Sequence, residues 1–267
     1  MAFVCHQIAN AQYLTADNIA AAHCFTTRHG GVSQGHLGSM NIGSHRGDTM
    51  ENLQENYKRI CAFLGADPQA LALTHQNHGD VVRQILREDV TGSLDHNDYP
   101  FCDGLITDEK GVALVVFTAD CTPILLHDPR TGAVGAVHAG WRGTAGGIVR
   151  KAVEAMQAAF GTRPEDICAA IGPNIAQCCF QTDSDVPEAM VAAFGRRAEE
   201  YIRKDKSKYY VNLKALNALH LTDAGVKNIA VCQEYTACQP DRFWSHRIHG
   251  GQRGSQGAII VCKGEDR

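Results

Sequence analysis

Three short β-rich apolar runs, Val112–Phe117, Pro123–Asp128 and Ala133–His138, follow one another with only a few residues between them. Each reads as a buried strand, because a continuous apolar stretch of this length suits a strand covered on both faces. The turn Asp128-Pro129-Arg130-Thr131-Gly132 joins the last two as a hairpin, since Asp, Pro and Gly supply the backbone angles a tight reversal needs. An antiparallel hairpin in a chain that also carries helices excludes a simple doubly wound sheet and points to a mixed α/β fold. The helices are legible from spacing. Leu53, Tyr57, Ile60, Cys61 and Leu64 recur at helical intervals over Glu51–Leu64, ahead of a stop at Gly65. Thr144 is the expected N-cap of a helix running to about Phe160 and ending at Gly161, and Glu188–Ile202 and Leu213–Ala224 are further helices. Strands are expected among the first forty residues, around the loop Thr27–Ser33, and at Val81–Leu86 and Gly104–Thr107. No Pro/Gly/Ser-rich linker or repeat interrupts the chain, so residues 1–267 are read as one domain.

Charge and cysteine usage narrow the setting. With 25 Lys and Arg against 29 Asp and Glu there is no basic field, and nucleic acid is not an expected partner. The longest apolar run, Val112–Phe117, is far too short to span a bilayer, and the first residues carry no secretory signature. A cytoplasmic protein without membrane partners is expected. The eleven cysteines, without a Cys-x-x-Cys pair, then read as reduced thiols. Cys24, Cys61, Cys168, Cys232 and Cys262 are expected to pack as small hydrophobes; packing is also the commoner role for a vicinal pair such as Cys178-Cys179, whose function the sequence leaves open.

Most of the thirteen histidines are expected to be solvated or satisfied in the core, but context singles out two of them and one cysteine. His78 stands in the polar turn His75-Gln-Asn-His-Gly79, Cys121 between two buried strands, and His138 at the end of the hairpin. Strand ends face the crevices where α/β folds bind ligands. His, Cys and His form a borderline-soft donor set suited to Zn2+, with a fourth position left for water or substrate. Arg142, ahead of Gly143-Thr144-Ala145-Gly146-Gly147, would stand beside a helix start whose free amides favour an anion such as phosphate. Arg28 and Asn41 flank another glycine-rich stretch and are further substrate-binding candidates, while Asp103 and Asp120 are candidate general bases or residues that orient a ligating histidine.

Several blocks carry a resemblance. Thr27-Arg-His-Gly-Gly-Val-Ser33, Gln76-Asn-His-Gly79, Asp103-Gly-Leu-Ile-Thr107, Thr118-Ala-Asp-Cys121, Val137-His-Ala-Gly-Trp-Arg-Gly143 and Ile171-Gly-Pro-Asn-Ile175 with Cys178-Cys179-Phe180 are similar, in order, to the family called polyphenol oxidase, laccase-domain protein or purine nucleoside phosphorylase. The likeness runs from about Arg28 to Arg253. It implies metal ligation by His78, Cys121 and His138, which also makes these the catalytic residues. It further implies a layered α/β/β/α sandwich shared with cysteine hydrolase-like proteins, and a homodimer is an admissible assembly. The implied activity is phosphorolysis of adenosine, inosine, guanosine and methylthioadenosine, with some adenosine deamination. The chain departs from the family at Ser245-His-Arg-Ile-His-Gly-Gly-Gln-Arg253, where an Arg-Asp pair is lost and His246 and His249 are gained.

Two other chemistries compete. Copper-dependent oxidation of phenols would use Cu2+, which binds such a site more tightly than zinc, but its usual multicopper assembly draws on His-x-His pairs and the sequence has none. A cysteine hydrolase would use Cys121 as nucleophile and His138 as base.

Overall fold

The structure, a computed structural model, describes residues 2–94 and 100–262. Among these, fifteen strands and six α-helices follow in chain order. The first half holds β1 (Phe3–Ile8), β2 (Ala11–Ala16), β3 (His23–Thr26), α1 (Met50–Leu64), β4 (Leu71–Leu73), β5 (Val82–Gln84) and β6 (Gly104–Thr107). The centre holds β7 (Ala113–Thr118), β8 (Thr122–His127), β9 (Val134–Ala139), α2 (Trp141–Ala145), α3 (Ile148–Phe160) and β10 (Cys168–Ile171). The remainder comprises β11 (Gln181–Thr182), α4 (Asp185–Phe194), β12 (Ile202–Asp205), β13 (Lys208–Val211), α5 (Leu213–Asp223), β14 (Asn228–Val231), α6 (His246–His249) and β15 (Gln256–Val261).

Two six-stranded sheets, β1-β2-β3-β15-β7-β4 and β14-β10-β8-β9-β6-β5, both mix parallel and antiparallel pairings. Strand alternation explains the layering. On β7, Leu114 and Val116 join the core that faces the other sheet, whereas Ala113 and Val115 join the core under α1. On the second sheet Leu125, Val134 and Ala136 face inward, and Ile124, Leu126 and Val137 face α3. Each central strand is thus buried on both faces, which is why these runs are apolar throughout. The result is helix, sheet, sheet, helix, with the third, three-stranded sheet β11-β13-β12 packed with α4 to one side. No helix among the described residues is long and apolar enough to cross a membrane.

Local signals act as their chemistry requires. Thr49 caps α1 by accepting from the Asn52 amide at 3.2 Å, and Gly65 ends it in the left-handed conformation. The Asp128–Gly132 turn closes through Thr131 Oγ1 donating to Asp128 Oδ2 at 2.8 Å. Gly30 has φ of 89°, and a methyl there would lie 2.1 Å from Ala11 Cα. Because the obstacle is backbone, Gly30→Ala is expected to destabilise the protein by about 1–3 kcal/mol, read as a lowered urea midpoint.

One helix boundary differs from expectation. Thr144 lies inside the short α2, and α3 begins only at Ile148 after Gly147, whose φ of 72° breaks the helical path. The amides of Thr144, Gly146 and Gly147 already donate to the carbonyls of Gly140, Arg142 and Thr144 at 2.8, 2.8 and 3.1 Å. The helix start beside Arg142 therefore lies at Trp141, ahead of the position expected, and the amides of Thr144, Gly146 and Gly147 are not the open ones. The expected helix Glu188–Ile202 is likewise divided: α4 ends at Phe194 and a 3-10 stretch over Gly195–Tyr201 follows.

Candidate metal centre

Three metal-capable groups arrive from different parts of the fold. Cys121 lies in the link between β7 and β8, where the chain passes from one sheet to the other. His138, paired with Pro123 at the end of the β8–β9 ladder, shares the face of β9 that holds Val134 and Ala136. It therefore points into the end of the inter-sheet layer. His78 comes from the loop between β4 and β5. One donor atom from each of the three lies within 4.8 Å of the others.

A single carboxylate organises this convergence. Asp103, fully buried just ahead of β6, accepts through Oδ1 from the amides of Asn77 (3.0 Å) and Gly79 (2.9 Å). Its Oδ2 accepts from the His78 amide at 3.1 Å and stands 2.7 Å from His138 Nδ1. Asp103 so holds the His78 loop and orients the His138 ring, leaving Nε2 toward the cluster. His78 has φ of 62°, and Asp120, beside Cys121, has φ of 92°. Left-handed backbone is uncommon for such residues and persists only where surrounding contacts enforce it. Asp120 is enforced through both carboxylate oxygens: Oδ1 accepts from Thr236 Oγ1 at 2.6 Å and Oδ2 from the Arg247 amide at 2.7 Å.

Electrostatics prepare the donors. Burial would raise the Cys121 thiol, but His138 and His78 outweigh it and bring it down to about 6. Burial would likewise lower His138, yet Cys121 and Asp103 push it up to about 9. Burial raises Asp103 too, but the bonds from His138 and the loop amides hold it below its ordinary value. The sulfur is thereby favoured as the thiolate that coordinates metal, and a bound metal would displace the proton that the raised His138 carries. Gly140 keeps the approach open, since a methyl there would stand 3.3 Å from His78 Cδ2, 3.4 Å from Cys121 Sγ and 3.8 Å from His138 Cε1.

The remaining expected site residues are placed as follows. Arg28 stacks 3.9 Å over Trp244 and donates to the carbonyls of Pro240 (2.8 Å) and Gly38 (3.2 Å), with His249 Nε2 3.2 Å from its Nη1. Asn41 is fully buried, donating to Asp48 Oδ2 and accepting from the amides of Gly43 and Ser255. Arg142 is exposed, its guanidinium 4.2 Å above Trp141. Of the cysteines expected to pack, Cys24, Cys61, Cys232 and Cys262 are buried and Cys168 partly so, but Cys178 is exposed and Cys179 half-buried. Their exposure sets the vicinal pair apart from the cysteines that pack in the cores.

Sequence reasoning did not single out Arg253. This residue is 8% exposed, and burial with the neighbouring Arg46 pulls its guanidinium down to about 10, partly offset by Asp120 and Cys121. Its Nη1 reaches the Gly254 carbonyl at 2.9 Å, while its buried Nε has no hydrogen-bond partner. Arg46 is tethered beside it, through Nε to Ser255 Oγ at 3.4 Å. Only Arg253's place at the end of the resembling blocks pointed toward it, because its neighbour Cys121 is remote in the chain.

Comparison with known proteins gives consistent matches. The family described as multi-copper polyphenol oxidoreductase laccase matches residues 22–263. A protein named purine nucleoside phosphorylase YlmD from Geobacillus stearothermophilus is 37% identical over 240 residues, covering 88% of each chain. A purine nucleoside phosphorylase from Deinococcus radiodurans is 36% identical over 248 residues, covering 92% of this chain and 91% of its own. The crystal structure of the Geobacillus YlmD superposes with a TM-score of 0.92 at 35% identity, over 98% of this chain and 100% of that one.

Proposed function

This chain belongs to the multi-copper polyphenol oxidoreductase laccase family, and on that footing we propose that it is a zinc-dependent purine nucleoside phosphorylase. Its substrates are adenosine, inosine, guanosine and methylthioadenosine together with inorganic phosphate, with adenosine deamination as a side activity and the cytoplasm as its location. The names carried by its relatives support this reading. His78, Cys121 and His138 hold the metal, two nitrogens and a thiolate being a donor set zinc accepts with one position open. When bound there, zinc supplies a Lewis acid at the reacting end of the nucleoside.

The chain's own groups supply the rest. Asp103 keeps the proton of His138 on Nδ1, so that Nε2 stays a donor to the metal. Asp120, with both oxygens occupied, holds the Cys121 turn to the loops carrying Thr236 and Arg247, and is a positioning residue. Arg28 and Asn41 act the same way, Asn41 by seating Ser255 next to Arg253. Phe101, two residues ahead of Asp103, and Val81, whose carbonyl accepts from the Asp103 amide, are exposed and offer apolar surface to a purine ring.

The observation that carries phosphorolysis is Arg253. A buried guanidinium with a free Nε, repelled by Arg46 and only partly offset by Asp120 and Cys121, has no carboxylate bonded to it among the described residues. Buried charges ordinarily have partners, and phosphate satisfies both guanidinium groups. Release of free base from inosine is therefore expected to rise saturably with phosphate and to yield ribose 1-phosphate. Arg253→Ala is expected to raise the phosphate KM by about ten- to hundredfold, as loss of a charge-assisted contact does. Arg142→Ala locates the anion, because an equal effect there would move phosphate to α2. Base release that ignores phosphate would end the phosphorylase reading.

A cysteine-hydrolase reading rests on one observation of its own, the lowered Cys121 thiol beside a His138 ring held by Asp103. His78 favours metal over it, since a nucleophile–base pair has no need of a second imidazole on the sulfur. Copper-dependent phenol oxidation takes its support from the family description. Stripping the metal and restoring Zn2+ or Cu2+ in turn separates all three, with nucleoside turnover expected to return with Zn2+.

A further inference from the structure

We propose that Cys178, Cys179 and Cys238 form a second metal site, a surface tri-thiolate for a thiophilic d10 cation, zinc or cuprous copper. The three Sγ atoms form a triangle with sides of 3.7 Å (Cys178–Cys179), 3.8 Å (Cys178–Cys238) and 3.5 Å (Cys179–Cys238). Thiolates on a tetrahedral ion at about 2.3 Å stand about 3.8 Å apart, and nearly the same for a flatter three-coordinate ion. A disulfide would need about 2.05 Å. The triangle therefore has the size of one face of a coordination shell.

Packing does not account for it. Cys178 and Cys238 are both exposed, whereas the cysteines that act as small hydrophobes here lie in the cores. The topology brings the thiols together across 60 residues of chain. Parallel strands β10 and β14 run side by side, and the pairing is renewed beyond them at Asn174 and Tyr235, with the Thr236 amide donating to the Asn174 carbonyl at 2.9 Å. Each strand then turns into a loop, one carrying Cys178 and Cys179 and the other Cys238.

Both loops are held in place before any ion arrives. Arg247 donates through Nη1 to the Cys179 carbonyl at 2.8 Å and through Nη2 to the Gln181 carbonyl at 3.0 Å. Gln177 donates to the carbonyls of Tyr201 and Tyr210, and the Gln239 amide donates to the Tyr235 carbonyl at 3.2 Å. Preorganised ligands of this kind lower what ion binding must spend on ordering. Burial and the two adjacent thiols push the Cys179 thiol up. Binding a cation releases thiol protons to solvent and lets neighbouring thiolates share one positive charge. With three sulfurs and no imidazole, this site is softer than the His78, Cys121, His138 group and favours cuprous copper relative to it.

The test uses the full chain, stripped of metal under reducing conditions and titrated with Cd2+ while bound ion and thiolate-to-metal charge-transfer absorbance are recorded. Wild type is expected to take up two ions per chain. Cys238→Ser and Cys178→Ser, which leave His78, Cys121 and His138 intact, are each expected to take up one, with most of the charge-transfer signal gone. Cys121→Ala is expected to retain the ion bound by the three thiols. Uptake of a single ion by wild type overturns the proposal, as does unchanged uptake and absorbance in both serine variants. Competition against a chelator with Zn2+ in one arm and Cu+ in the other then shows which cation the site retains more tightly.

Discussion

Cys121→Ala is expected to abolish nucleoside turnover, lowering kcat/KM by at least ~10³-fold, while the protein remains folded. The loss follows from removing the only sulfur of the donor set, because a Lewis acid worth several kcal/mol at the transition state disappears with it. Retention of the fold follows from where Cys121 sits. It lies in a link between sheets, half-exposed, and none of the main apolar cores includes it. Metal content by elemental analysis, far-ultraviolet circular dichroism and a denaturant midpoint check both halves. If the variant lost its metal and unfolded, the ion would be holding the sheets together, and its role would be structural.

Asp103 should divide its effects according to the substitution. Asp103→Asn keeps the side chain's shape but replaces one acceptor oxygen with a donor, facing either His138 Nδ1 or the 77–79 amides. Metal affinity is expected to fall about 10–100-fold, the scale on which losing an orienting partner acts, with the fold retained. Asp103→Ala removes an acceptor shared by three amides and a histidine. Partners of a lost buried charge stranded in this way cost about 3–5 kcal/mol, so a strongly reduced denaturant midpoint accompanies the loss of metal. Equal metal retention in wild type and Asp103→Asn would show that the loop and the His138 ring are held by packing alone.

Much of the fold was legible because it rests on short-range pattern. The runs Val112–Phe117, Pro123–Asp128 and Ala133–His138 became β7, β8 and β9 with boundaries shifted by about one residue, and the Asp128 turn closes the expected hairpin. Which sheet each strand joins was not legible. β7 and β8 are adjacent in sequence yet belong to different sheets, and nothing in two equally apolar runs distinguishes pairing from crossing over. The helix placed at Thr144 shows the limit of local rules, since Thr is a good N-cap wherever it starts a helix, but Gly147 in the left-handed conformation resets the start at Ile148.

What the sequence determined by itself was chemistry that depends on residue type. A thiolate and imidazoles can hold zinc in any fold, and the polar turn at His78 and the strand ends at Cys121 and His138 marked the residues free to do so. Tertiary structure decided everything that depends on distance between remote segments. It made Asp103 the anchor of both histidines, committed Arg28 and Asn41 to internal hydrogen bonds, brought Arg253 with its free Nε toward Cys121, and carried Cys238 to Cys178 and Cys179. The physical reason is that hydrogen bonds, coordination and charge act over a few ångströms, and only the folding of two sheets against each other sets which residues come that close.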